Sequence, residues 1–403
     1  MKTLAIRSVR VIDGIGQTIE RATVIIRGAT IAAVGSDRDI SIPRGAAKID
    51  GRSLTLLPGL IDCHVHFCLG AEPDVVDAIA KETPALNLLK ASRAAHETLE
   101  AGFTTVRDVG SRDHSIFTLQ QAIETGLVQG PRIVAAGLAI CMVGGHARFI
   151  GQEVQGVRQV RSVVRRQIAA GAGVIKVIAS GGVLTPGTSP NQAQMTIEEL
   201  RAAVEEAQLA GRKVAAHAHG SSGMKNAIRA GVHSIEHATL MDEEAATLMK
   251  GHDVFMVPTL SALATTASCR LGCGVPASAR DKANAMTKRH AVSFKNALRD
   301  GIQIAMGTDA GTPFNFHGEN AQELERMVAF GMSPMQAILA STSSAARLIG
   351  IQDQVGTIAK GKLADLLLFD GNPLRHIEQL RNRDRIIGVM QAGRFVAGPL
   401  SGM

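Results

Sequence analysis

The sequence predicts an α/β fold, a TIM-type (β/α)8 barrel carrying a small β-sandwich domain formed from both chain termini. Three observations predict it. From residue 56 onward, short apolar strands alternate with amphipathic helices, the pattern of parallel β/α units. Eight such units can be counted, the number that closes a barrel. Both ends of the chain hold only short strands and turns, too few for a core of their own.

Taken in order, residues 5–12, 23–27 and 30–35 read as short alternating strands, with Gly28 and Gly35 as hairpin punctuation. No useful helical period appears before residue 75. The parallel strands are expected at 56–66, 104–109, 132–136, 174–180, 213–219, 234–238, 254–259 and 303–308, with helices such as 196–210 and 242–250 between them. After Gly350 strands return at 356–358, 364–370, 385–391 and 394–396, separated by turns at Gly361, Gly371-Asn372-Pro373 and Gly393. The expected organisation is a β-sandwich from residues 1–57 plus 356–403, and a barrel from 58–355.

Composition excludes some functions. The chain has 403 residues, 45% of them hydrophobic, as in a globular protein, and no run approaches the ~18 apolar residues of a membrane span. The N-terminus lacks the apolar core and cleavage site of a secretory signal. The odd, scattered set Cys63, Cys68, Cys141, Cys269 and Cys273 is expected as free thiols in a reducing cytoplasm. Cys269-x3-Cys273 has no second pair with which to build a zinc clip. The charge of +7 raises the question of nucleic acid, but the densest basic run, residues 158–166, alternates with valines at helical spacing and reads as a solvated helix face. With no Trp or Tyr, a base-stacking platform is hard to build. Neither nucleic acid nor a membrane is expected as a partner.

The first strand ends in His64-Val65-His66, and strand alternation points both imidazoles the same way, which is half of a metal site. Alone, such a pair is more often packing. The fourth strand carries Lys176 between apolar neighbours, where a bare ammonium is expensive. A lowered pKa would leave a neutral amine, able to take up CO2 as a carbamate and bridge two metals. The fifth strand gives His217-Ala218-His219, the sixth Glu236-His237, and the eighth ends in Gly307-Thr308-Asp309. Each has its own structural explanation: a core histidine, a salt-bridged Glu236, a helix-capping Asp309. Five histidines, a lysine and an aspartate at matching ends of five strands are not accounted for by packing alone.

Seven motifs point to a family: Pro58-Gly59-Leu60-Ile61-Asp62-Cys63-His64-Val65-His66, Gly102-Phe103-Thr104-Thr105-Val106-Arg107-Asp108, Gly144-Gly145-His146, Ile175-Lys176-Val177-Ile178-Ala179-Ser180-Gly181-Gly182, His217-Ala218-His219-Gly220, Ile235-Glu236-His237 and Gly307-Thr308-Asp309. The chain resembles the amidohydrolase superfamily, in its imidazolonepropionase-related, Xaa-Pro dipeptidase-like branch. The likeness extends to Gly361-Lys362-Leu363-Ala364-Asp365 near the C-terminus.

The resemblance implies a binuclear centre, usually zinc. His64, His66 and Asp309 would hold one metal, His217 and His237 the other, and carbamylated Lys176 would bridge them. A bridging hydroxide would attack a polarised carbonyl. Asp309 would carry the proton to the leaving amine, and His146 would donate to the oxyanion. The net positive charge expected for such a centre favours an anionic substrate. His219, Arg148 and His317 are candidates for binding its carboxylate, and Gly181 and Gly182 are further substrate-binding positions. At His219, relatives acting on proline dipeptides often place Tyr, which this chain lacks.

The expected reaction is cleavage of a dipeptide or N-acyl amino acid by a cytoplasmic homo-oligomer. The alternatives are hydrolysis of a cyclic amide, a carbamate or a xenobiotic amide, and a non-catalytic scaffold. Scaffolds of this kind typically lose metal ligands, and none is missing here.

Overall fold

Both ends of the chain meet in one mixed sheet. Its strands are β1 (Thr3–Ile12), β2 (Thr18–Arg27), β3 (Thr30–Ser36), β4 (Ala47–Asp50) and β5 (Leu54–Pro58) from the N-terminal end. The computed structural model describes residues 3–270 and 272–402. After β5 the chain enters β6 (Leu60–Val65), β7 (Phe103–Asp108), β8 (Arg132–Ala135), β9 (Ala139–Met142), β10 (Gly151–Val154), β11 (Val174–Ile178), β12 (Lys213–Gly220), β13 (Ser234–Leu240) and β14 (Phe255–Val257). It returns to the terminal sheet as β15 (Leu366–Asp370), β16 (Ile386–Gln391) and β17 (Arg394–Ala397).

The terminal sheet runs β17-β16-β15-β5-β1-β2-β3, with β4 beside β1. The joint between the two chain ends is the antiparallel pair β5–β15, in register from Leu54↔Asp370 to Pro58↔Leu366. Ile6, Val24, Ile26, Leu56, Leu366 and Leu368 alternate inward and share one buried cluster.

The apolar run expected as a single strand over 56–66 is two strands in different sheets. Gly59 makes the corner, because a Cβ there would collide with the Thr104 side chain. The strand bearing His64 is thus tethered directly to the terminal sheet.

The parallel strands form a three-stranded sheet, β6-β7-β8, and a six-stranded sheet, β10-β9-β11-β12-β13-β14. The eighth expected strand, at 303–308, is an extended segment held by single bridges rather than a ladder. Ile304 bridges to Met256 and Ala310 to Val65. Cys63 N donates to Met306 O (2.9 Å) and Asp309 N to His64 O (2.7 Å), so the segment lies between β14 and β6. Its Gly307 is needed for closeness, since a Cβ would press on Val257 and on His64.

The helices follow local signals. Thr196 and Glu199 form a capping box that starts the helix Ile197–Leu209, and Asp242 caps Glu243–Gly251. The basic run lies on Gly156–Ala170, where Arg161 and Arg165 pair with Glu205 and Glu206 of the next helix. One expectation about cysteine is corrected: Cys269 and Cys273, four residues apart with Cα atoms 6.1 Å from each other, are paired as a disulfide. Cys63, Cys68 and Cys141 are free and buried. No helix among the described residues is long and apolar enough to cross a membrane.

Candidate metal centre

Eight of the side chains singled out in the sequence line one cavity of about 680 Å³, its open mouth included: His64, His66, His146, Lys176, His217, His219, His237 and Asp309. They arrive at the C-terminal ends of the parallel strands. The pairings Ile178↔His217 and Ala218↔His237 align β11, β12 and β13 so that their functional ends coincide. His237, within β13, and Asp309, just past the 303–308 segment, both adopt left-handed backbone conformations (φ 70° and 61°), which are uncommon for residues other than glycine.

The histidines and aspartate fall into two groups. His64, His66 and Asp309 form one, with Asp309 Oδ1 3.4 Å from His64 Nε2 and 3.2 Å from His66 Nε2. His217, His219 and His237 form the other, with His217 Nδ1 2.8 Å from His237 Nε2. Within each group the potential ligand atoms lie within 4.8 Å of one another, and all six residues are buried. The groups are neighbours, since the His64 and His237 rings are 5.1 Å apart.

Each ring is oriented by a hydrogen bond on its far side. His64 Nδ1 meets Glu236 Oε2 at 2.7 Å, and His66 Nδ1 donates to Gly110 O at 2.9 Å. His237 Nδ1 meets Thr259 Oγ1 at 2.7 Å, and His219 Nδ1 meets Thr239 Oγ1 at 2.8 Å. A ring nitrogen engaged in this way fixes the tautomer and leaves the other nitrogen facing the cavity, as ligating histidines require.

Electrostatics suits cation binding. Burial and the Lys176 charge lower His64 to about 4, and burial holds His217, His219 and His237 well below the ordinary imidazole value. These rings are therefore neutral near pH 7, with lone pairs free. Burial would raise Asp309, but His64, His66 and Lys176 outweigh it and keep the carboxyl low. Burial lowers Lys176 to about 8. Its Nζ is enclosed and has no hydrogen-bond partner. An orphaned amine opening on a cavity rimmed by two ligand-type groups fits a metal centre completed by that lysine.

Other predicted residues stand elsewhere. Gly181 and Gly182 lie behind the cavity wall: Gly181 O is 3.3 Å from His217 Nε2, and a Cβ on Gly182 would overlap the His146 ring. Arg148 does not meet the expectation of a carboxylate-binding role. It is exposed and outside the cavity, because the chain turns at Ala147 (φ 61°) and sends His146 inward and Arg148 outward. His317 is likewise outside. Its Nε2 sits 3.2 Å from His66 O and 3.0 Å from Leu69 O, bracing the loop after β6.

The sequence reading missed the support behind the ligands. Arg107, fully buried in β7, donates to both Glu236 oxygens at 2.8 and 3.0 Å and to Cys63 O at 2.6 Å. Asp62 receives Thr308 Oγ1 (2.6 Å), Asn320 Nδ2 (2.7 Å) and His64 N (3.0 Å), pinning β6 to the segment that carries Asp309. The available signal was a charged residue inside each of two apolar strands, Asp62 and Arg107.

Comparison with known proteins gives consistent results. A sequence profile of the amidohydrolase family matches residues 55–396. The chain is 32% identical to an ochratoxinase of Aspergillus niger, over 96% of this chain and 85% of that protein. Among solved structures, a Xaa-Pro dipeptidase with methionine bound in its active site superposes with a TM-score of 0.92 at 37% identity, covering 98% of this chain and 100% of the other. A prolidase complexed with N-methylphosphonate-L-proline gives 0.91 at 34% identity, covering 98% and 99%.

Proposed function

The chain belongs to the amidohydrolase family, and from that premise we propose that it is a metal-dependent hydrolase cleaving a peptide-like amide, in a dipeptide or an N-acyl amino acid. The observation that carries the reading is Lys176, a buried amine without a partner that opens on the same cavity as two groups of ligand-type side chains. Such an amine is costly to bury unless something satisfies it. Carbamylation does so: the neutral nitrogen adds to CO2, one proton leaves to solvent, and a carboxylate remains at the end of the side chain. His64, His66 and Asp309 would hold one divalent ion and His217 and His237 a second, with the carbamate joining them. Imidazole and carboxylate donors suit zinc.

Two such ions, when bound, supply a Lewis acid and lower the pKa of water. The remaining work falls to the chain. Asp309, ionised at neutral pH, can accept a proton at Oδ and return it to the leaving amine. His146 Nδ1 lies 2.9 Å from Thr185 Oγ1, which accepts from Ala147 N at 3.3 Å. The threonine hydroxyl proton is then free for Nδ1. That leaves the imidazole proton on Nε2, where it can be donated to the substrate carbonyl oxygen. His219 offers Nε2 to the substrate beside it. Residues 58–355 serve as the catalytic unit, and the terminal sheet holds the start of β6 through β5.

The names of the relatives support an amide: a Xaa-Pro dipeptidase, a prolidase and an ochratoxinase. The test is turnover of a library of dipeptides and N-acyl amino acids with zinc and bicarbonate supplied. Release of the amine product is the expected result, and turnover of lactams alone would overturn the peptide-like reading.

A further inference from the structure

The cavity beyond the candidate ligands is almost free of charge. Apart from Lys176, Asp309 and the histidines already described, its lining residues are apolar except for Thr266 and Thr312. The walls are Leu69, Phe149 and Ile150 on one side and Val183 and Leu263 on the other, with Leu184 touching both. Each side is the face of a packed cluster. Leu69 and Ile150 rest on Val75, Ile79 and Cys141, while Val183 and Leu263 rest on Val275, Ala279 and Met286. A wall backed in this way is preformed and does not depend on the substrate to assemble it.

The nearby cation is already engaged: Lys282 Nζ donates to Gly182 O (3.2 Å) and Thr185 O (3.0 Å) and does not line the cavity. Arg148 faces solvent. A charged side chain on the substrate would therefore lose water against these walls with no partner to replace it, while an aryl or branched alkyl group would gain contact.

Resting on the amide-hydrolase reading above, we propose that the substrate is an amide with a bulky apolar group on at least one side of the scissile bond, seated on Phe149, Leu184 and Leu263, and without a charged side chain. The substrate's single carboxylate, where present, is confined to the His146 and His219 end. Specificity is therefore set by the apolar loops after the third, fourth and seventh parallel strands.

The experiment varies the acyl and amine halves of an N-acyl amino acid series independently among phenyl, leucyl, acidic and basic substituents, using zinc-loaded enzyme. The expected result is a preference in kcat/KM of about a hundredfold for the apolar member in at least one half, within the range a hydrophobic pocket can discriminate. Leu184→Lys, at a partly exposed wall position, is expected to erase most of that preference and to favour the acidic member. Phe149→Ala is expected to lower kcat/KM for the phenyl member about tenfold. Equal or better turnover of charged members in both halves would overturn the inference. Calorimetric binding of the same compounds to the metal-free protein separates it from the hydrolase reading. Selective binding of apolar members with no turnover of any member by the zinc-loaded enzyme sustains the pocket and contradicts the hydrolase, and binding without selectivity contradicts the pocket.

Discussion

Glu236 Oε2 lies 2.7 Å from His64 Nδ1, with neither side chain reachable by solvent, so a ligand of the proposed first metal on β6 is oriented by a residue of β13, across β14 and the 303–308 segment. Burial would raise the Glu236 carboxyl, but Arg107, His64 and Lys176 outweigh it and hold it well below the usual carboxylate range. The carboxylate therefore stays ionised and accepts the His64 Nδ1 proton, leaving Nε2 as the ligand atom. Glu236→Gln keeps the shape and removes the charge. Metal affinity, measured by titration against a chelator, is expected to fall about tenfold to a hundredfold.

His146→Ala removes the proposed donor to the carbonyl oxygen without touching a ligand. Turnover is expected to fall about a hundredfold to a thousandfold, with metal content unchanged. Gly182→Ala should act in the same direction, because its Cβ would displace the His146 ring. Steady-state kinetics beside metal analysis checks both.

Glu323 is a pH-sensitive support for the cavity wall. Fully buried, it accepts from Leu260 N (2.7 Å), Ser261 N (2.8 Å) and Ser261 Oγ (2.7 Å) at the start of the helix Leu260–Ser268, whose Leu263 lines the cavity. Burial raises its carboxyl from 4.5 to about 7. A folded-state pKa above the unfolded one gives stability that is complete below the unfolded value and is lost as pH rises through the folded value. Between about pH 4.5 and 7 the wild type should therefore lose about 3 kcal/mol relative to Glu323→Gln. Denaturant melts of the two proteins at pH 5 and pH 8 read this difference.

Gly59 is the corner that joins the terminal sheet to the strand of His64 and His66. Gly59→Ala forces a Cβ into Thr104 and is expected to destabilise by about 1–3 kcal/mol, visible as a lower denaturation midpoint. The companion variant Thr104→Gly opens the space that the Cβ needs, so the double variant should recover part of the loss.

The candidate ligands were legible because their chemistry and their geometry are both local. His64 and His66 share a face by strand alternation alone, and Lys176 stands out in an apolar strand because its charge has no cheap place there. What was illegible depended on distant contacts. The break at Gly59 lies inside an unbroken apolar run, and its cause is Thr104, forty-five residues on. Residues 303–308 have the composition of a strand, yet they are held by single bridges between β14 and β6. Arg148 and His146 are two residues apart, and only the turn at Ala147 decides which faces the cavity. His317 looked like a carboxylate ligand from its type alone, while its partners are backbone oxygens some 250 residues earlier. The disulfide was hidden because a four-residue spacing by itself also suits a helix.

The central claim is that Lys176 carries a carbamate joining two metals. Protein incubated with 13C-bicarbonate and zinc, then measured by 13C NMR and metal analysis, tests it directly. The account predicts a carbamate carbon signal and two zinc ions per chain, with Lys176→Ala losing the signal and at least one metal. A full complement of metal in Lys176→Ala, or two metals in the wild type with no carbamate signal, would contradict it.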